Sequence, residues 1–99
     1  QVQKISSELR AGPLFILGEA QQKIKQNTEA KITWMKIPIL YPEKRTLAAT
    51  ALFRCASMLE NESNVSTVAG HQALKLWREL TRNHPASQFF ELANSKLEN

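Results

Sequence analysis

Side chains able to do chemistry are few in this 99-residue chain, and the clearest grouping is basic. His71, Lys75, Arg78 and Arg82 fall at i, i+4, i+7 and i+11, on one face of a helix, where they could meet phosphates. Glu79 interleaves and no aromatic stacking platform accompanies them, so a solvated outer face is the plainer reading. His71 and His84 have no second ligand at metal spacing, and the single Cys55 excludes an internal disulfide and a Cys-based metal site. No metal or cofactor is therefore expected. Cys55 lies on the apolar stripe Leu52–Cys55–Leu59 and reads as a small core residue rather than a reactive thiol. No Ser/His/Asp grouping, glycine-rich phosphate loop or close carboxylate pair stands out, and Gly12, Gly18 and Gly70 are isolated; an enzyme is not expected. Asn61-Glu62-Ser63 and Asn64-Val65-Ser66 match the glycosylation sequon.

The elements that must position these residues are helices. The composition, 42% hydrophobic and 22% charged with a net charge of +4, is that of an ordinary small globular domain. The mild positive excess is small beside that of dedicated nucleic-acid binders. The longest apolar run, Leu14 to Leu17, is four residues, far short of the roughly 18 that a membrane span needs. The N-terminal stretch is too polar for a signal peptide, and because the chain opens on Gln rather than Met a preceding segment is expected.

Leu14, Leu17, Ala20 and Ile24 recur at helical spacing, predicting a helix from about Ser7 to Gln26 with Pro13 bending its opening turn. Asn27-Thr28 reads as the turn. A second helix follows with Ile32 and Met35 on one face, and Pro38 conflicts with its continuation. Pro42 fits a helix N1 position with Glu43 in the first turn. From there to Glu60 the chain is apolar over most of its girth, which predicts a central helix packed on two sides. Asn61 to Ser66 reads as a polar loop, with the Asn61–Val65 insertion the most mobile internal segment. A fourth helix, from about Ser66 to Asn83, should bury Val65, Ala69, Ala73, Leu76 and Leu80. Pro85 should start a closing helix with Ala86, Phe89, Phe90, Ala93 and Leu97 on one face.

Two of these segments carry the same pattern. Ala30, Trp34, Ile37 and Pro42 recur as Ala73, Trp77, Leu80 and Pro85, at the same intervals of four, three and five residues. Each set follows a helix with a compact apolar patch, Leu14, Leu17 and Gly18 in one and Leu52, Cys55 and Ala56 in the other. Two copies of helix, turn, helix, proline predict stacked helical hairpins.

These positions resemble the tetratricopeptide repeat: Leu14, Leu17, Gly18 and Gln21 in the first helix, Ala30, Trp34, Ile37 and Pro42 in the second, with twelve residues from Gly18 to Ala30. Longer strings, Leu17-Gly18-Glu19-Ala20, Tyr41-Pro42-Glu43, Ala51-Leu52-Phe53-Arg54 and His84-Pro85-Ala86-Ser87, are similar to bacterial envelope types of that repeat. Among these are the C-terminal domain of the Tol-Pal-associated cell division coordinator and BamD-like lipoproteins. The sequence departs from the pattern at Pro38, at Gln21, where an aromatic is usual, and between Ala56 and Ala73, which are seventeen residues apart.

The resemblance implies an all-α solenoid of two hairpins plus a C-terminal closing helix. Residues 1–6 would be the remnant of a preceding helix or linker. Repeat 1 would span about 7–42, repeat 2 about 43–85, and the closing helix 86–97. It further implies a non-enzymatic scaffold for protein or peptide partners, in the periplasm or cell envelope, with first helices lining a concave groove. Phe15, Glu19, Gln22, Lys23, Phe53, Ser57 and Glu60 would face that groove, with Phe15 and Phe53 as anchors; ordinary inter-helix packing is the competing reading of both rings. A small nucleic-acid-binding domain using the His71/Lys75/Arg78/Arg82 face is the alternative. The N-terminal helix, lacking a cap, is expected to contact another chain, including a second copy of itself.

Overall fold

A computed structural model describes residues 2–62 and 67–98, with residues 2–10 described by their backbone alone. Among the described residues the chain is all-helical: α1 Val2–Lys23, α2 Asn27–Leu40, α3 Arg45–Glu62, α4 Thr67–Asn83 and α5 Phe90–Glu98. Each helix packs on the next in chain order, and α1 also reaches α3. The Cα envelope measures 44 × 32 × 17 Å, a slab about two helices thick.

The first helix starts at Val2, before the expected Ser7, and Pro13 sits inside it on the exposed side, where water can satisfy the carbonyl left without a donor. It stops at a motif that the sequence hides. Gln26 N donates to Gln21 O (2.8 Å), Lys25 N donates to Gln22 O (3.0 Å), and Lys25 takes φ 69°. That is a left-handed helix stop carried by lysine, two residues before the expected Asn27-Thr28 turn; Asn27 is already helical. The second helix runs through Pro38 to Leu40 because the proline falls in the last turn, where Tyr41 N donates to Ile37 O (2.8 Å) and closes the end.

Two further prolines mark turns rather than helix starts. Lys44 N donates to Tyr41 O (3.0 Å), which puts Pro42 at the second position of a turn where its fixed φ fits, and α3 begins at Arg45. Ser87 N donates to His84 O (3.0 Å) around Pro85, Ser87 Oγ then accepts from Phe89 N (3.0 Å), and the closing helix begins only at Phe90. Ala86 is accordingly exposed, and Phe89 packs from the connection. At its other end α3 continues past Glu60 to Glu62, so Asn61 is helical; the rest of the expected mobile loop, Val65 and most of both sequons lie outside the described residues.

α3 is the centre of the core. One side, Ala48, Ala51, Cys55 and Met58, meets Ala30, Trp34 and Ile37 of α2. The other, Leu52, Ala56 and Leu59, meets Ala69, Ala73, Trp77 and Leu80 of α4, with Ala93 of α5 behind them. So many alanines let the helices approach closely, and the two tryptophans, 0% and 1% exposed, fill the remaining volume.

The expected core stripe of α1 is corrected. Ala11 and Gly18 are buried and Leu14 and Phe15 half-buried, whereas Leu17 (47%) and Ile24 (65%) are exposed, as is Ala20. Only one face of α1 has α2 and α3 to pack on, and it is the face of Leu14 and Gly18. Ile32 is likewise exposed on α2, while Met35 packs inward.

Candidate functional site

Two aromatic clusters of the same construction lie across the helices. In the first, Phe15 of α1 meets Trp34 of α2 with ring centroids 6.1 Å apart, and Trp34 Nε1 donates to Phe15 O at 3.1 Å. The indole can reach the α1 backbone because Gly18 has no side chain: a Cβ there would lie 2.5 Å from Trp34 Cδ1. Arg54 of α3 closes the cluster, its guanidinium 5.2 Å from the Phe15 ring and 5.6 Å from that of Trp34, and it pairs with Glu19 at 3.2 Å. In the second, Phe53 of α3 meets Trp77 of α4 at 6.0 Å and stacks on Phe89 at 4.3 Å. Lys96 of α5 lies 5.9 Å from the Trp77 ring and pairs with Glu60 at 2.9 Å. Phenylalanine, tryptophan, a cation from the following helix and a glutamate recur in both clusters.

Of the expected groove residues, Phe15, Glu19, Gln22 and Lys23 sit on α1 and Phe53, Ser57 and Glu60 on α3. Phe15 and Phe53 are both half-buried, partly covered by Arg54 and by Phe89 respectively. Glu19 and Glu60 are engaged in the two ion pairs. Lys23 is exposed, and Gln22 and Ser57 are half-buried. Sequence reasoning missed Arg54 and Lys96. Arg54 follows an aromatic flagged as an anchor, which is a usable signal; Lys96 had none, because it depends on where α5 begins. Gln21, an oddity by resemblance, has a local reason: its Oε1 accepts from the buried Thr33 Oγ1 at 2.7 Å, tying α1 to α2. A further tie, Lys31 to Glu62 at 2.8 Å, joins α2 to the end of α3.

The basic row is an exposed face of α4: His71, Lys75, Arg78 and Arg82 are all exposed, and the last three border a shallow recess of about 410 Å³ with Glu79 and Asn83. Cys55 is fully buried and donates from Sγ to Lys31 O at 3.5 Å. Burial pushes its thiol up to about 12, against a smaller opposing pull from Lys31, so it stays protonated at neutral pH. His84 is held below the ordinary histidine range by burial first and then by the Arg45 charge, with Glu79 pulling the other way. Among the described residues no group of three His, Cys, Asp or Glu side chains could hold a metal ion, and no helix is long and apolar enough to cross a membrane.

One further surface stands out. Pro13, Ile16, Leu17, Ala20 and Ile24 are all exposed and recur at helical spacing, giving α1 a second, outward apolar stripe. No family model matches this chain, and no curated protein and no solved structure matches it.

Proposed function

We propose that the chain is a helical-repeat interaction module of tetratricopeptide type, non-enzymatic, which holds a segment of a partner protein along the α1–α3 side. The reading rests on one observation above all: the Phe15–Trp34–Arg54–Glu19 cluster recurs as Phe53–Trp77–Lys96–Glu60, each closed by a cation from the next helix. A unit whose aromatic pair is completed by its successor is a unit made to be stacked. Gln22, Lys23 and Ser57 give polar register beside the two rings, and the Glu19–Arg54 and Glu60–Lys96 pairs can exchange a charge with a partner side chain. The resemblance to envelope-type repeats makes the periplasm or cell envelope the compartment in which to look.

The experiment is a pull-down from an envelope extract with the wild-type chain and with Gln22→Arg/Ser57→Arg, which alters the groove without touching the buried core. A partner retained by the wild type at about 0.5 M salt and lost with the variant supports the reading, because at that ionic strength surface charge attraction is largely screened. Equal retention by both chains would overturn it. Binding of an oligonucleotide that collapses with salt and with Lys75→Glu/Arg78→Glu would instead favour the α4 face as a nucleic-acid contact.

A further inference from the structure

A cavity of about 390 Å³ opens where the start of α3 faces the connection from α4 to α5. Both sides mix polar and apolar residues: Arg45, Thr46 and Ala49 line it from α3, and His84, Pro85, Ser87, Gln88 and Phe89 from the connection. The hydrogen bonds already made there decide what a guest must bring. Arg45 Nη2 donates a long hydrogen bond to Asn83 O at 3.5 Å, which leaves its other N–H groups available. Ser87 Oγ accepts from Phe89 N, so its own O–H is free to donate. Thr50, also in the lining, spends its proton on Thr46 O at 2.8 Å. Among the described residues no carboxylate lines the cavity. The lining is thus rich in donors and carries positive charge, and it includes the Phe89 ring, which stacks on Phe53. A volume of this size is at the lower end of pockets that take small molecules.

We infer that this cavity is a binding site for a small organic carboxylate, its anionic group against Arg45, Ser87 and His84 and its apolar body against Ala49, Pro85 and Phe89. Charge-assisted bonds from a guanidinium are the strong kind, and burial of a short apolar group adds to them. The proton affinity of His84 is lowered by burial first and then by the Arg45 charge, with Glu79 opposing; a bound anion would offset the Arg45 part. The site does not rest on the α1–α3 groove reading, although its Phe89 stacks on Phe53 of that groove.

The test is an NMR titration of the 99-residue chain with benzoate, with benzamide as its uncharged counterpart and with inorganic phosphate. Benzoate is expected to shift the amide resonances of Thr46, His84, Ser87 and Phe89 with a Kd on the order of 1 mM, the affinity open to a ligand of its size. Benzamide should bind roughly tenfold more weakly or not at all. Arg45→Gln and His84→Gln change side chains at the rim, and each should weaken benzoate with the far-ultraviolet spectrum unchanged. No shift at these residues would overturn the assignment. So would equal binding of benzamide, phosphate binding as tight as benzoate, or shifts centred on Lys75, Arg78 and Arg82.

Discussion

Trp34 donates its indole N–H to the carbonyl of Phe15 at 3.1 Å, whereas Trp77, its counterpart in the second cluster, buries the same N–H with no acceptor among the described residues. The two sites differ in sequence by one methyl group. Three residues after Phe15 stands Gly18, which admits the indole to the helix backbone; three residues after Phe53 stands Ala56, buried in the same cluster as Trp77. Trp77 packs by its ring alone.

Gly18→Ala is expected to destabilise the fold by about 1–3 kcal/mol, although alanine is the better helix former by roughly 1 kcal/mol. The new Cβ would meet the rigid, buried indole of Trp34 rather than a flexible chain end. Urea denaturation of the variant checks this; a neutral or stabilising result would show that the indole does not press on α1.

The two tryptophans should also differ on trimming. Truncation of either to alanine is expected to cost roughly 3–5 kcal/mol, the range for large core aromatics. Trp77→Phe, however, removes a buried donor without a partner, while Trp34→Phe loses a made bond. The first should be milder by about 1–2 kcal/mol, since leaving a buried polar group unsatisfied carries a penalty of that order. Equal costs in parallel denaturation curves would contradict the asymmetry.

The paired intervals Ala30–Trp34–Ile37 and Ala73–Trp77–Leu80 made the buried helix faces legible, because a helix packed on its neighbours must repeat its small and large residues every third or fourth position. Proline was less informative. Pro42 and Pro85 look like helix starts, yet proline suits the second position of a turn equally well, and only the hydrogen bonds of Tyr41 and His84 separate the two. The α1 stripe misled for another reason. Leu14 and Leu17 both recur with apolar partners, and which face is covered depends on how many neighbours the helix has, which periodicity does not report.

Lys25→Gly should raise stability by up to about 1 kcal/mol. Lys25 holds φ 69° at the end of α1, a conformation that costs an L-residue roughly that much or more and glycine little, with the extra freedom of unfolded glycine offsetting part of the gain. A lowered melting temperature would mean that the lysine side chain contributes there.

Cys55 should resist thiol reagents in the native state near pH 8 and react once urea opens the fold, because its side chain is buried and protonated. The sign of its pH effect follows. The folded thiol, at about 12, holds its proton where the unfolded one, near 9.0, releases it, so its contribution is full below pH 9 and is lost as pH rises through 12. Stability measured across that window should fall more steeply for the wild type than for Cys55→Ala; identical slopes would remove the thiol from the account.

Ile16→Glu/Ile24→Glu should leave the melting temperature nearly unchanged while abolishing self-association. Both side chains are 65% exposed, so neither contributes much to the core, and charge there meets water rather than packing. With Pro13, Leu17 and Ala20 they form a continuous apolar stripe, and such a stripe on a small domain favours contact with another chain. The wild-type chain is therefore expected to sediment with a concentration-dependent average mass, through α1 pairing with a second copy where no other partner is present. Glutamate at both positions should return it to a single monomeric species. A wild-type chain that stays monomeric at high concentration would count against α1 as a self-associating surface, and a large loss of stability in the double variant would show that the stripe is buried in solution.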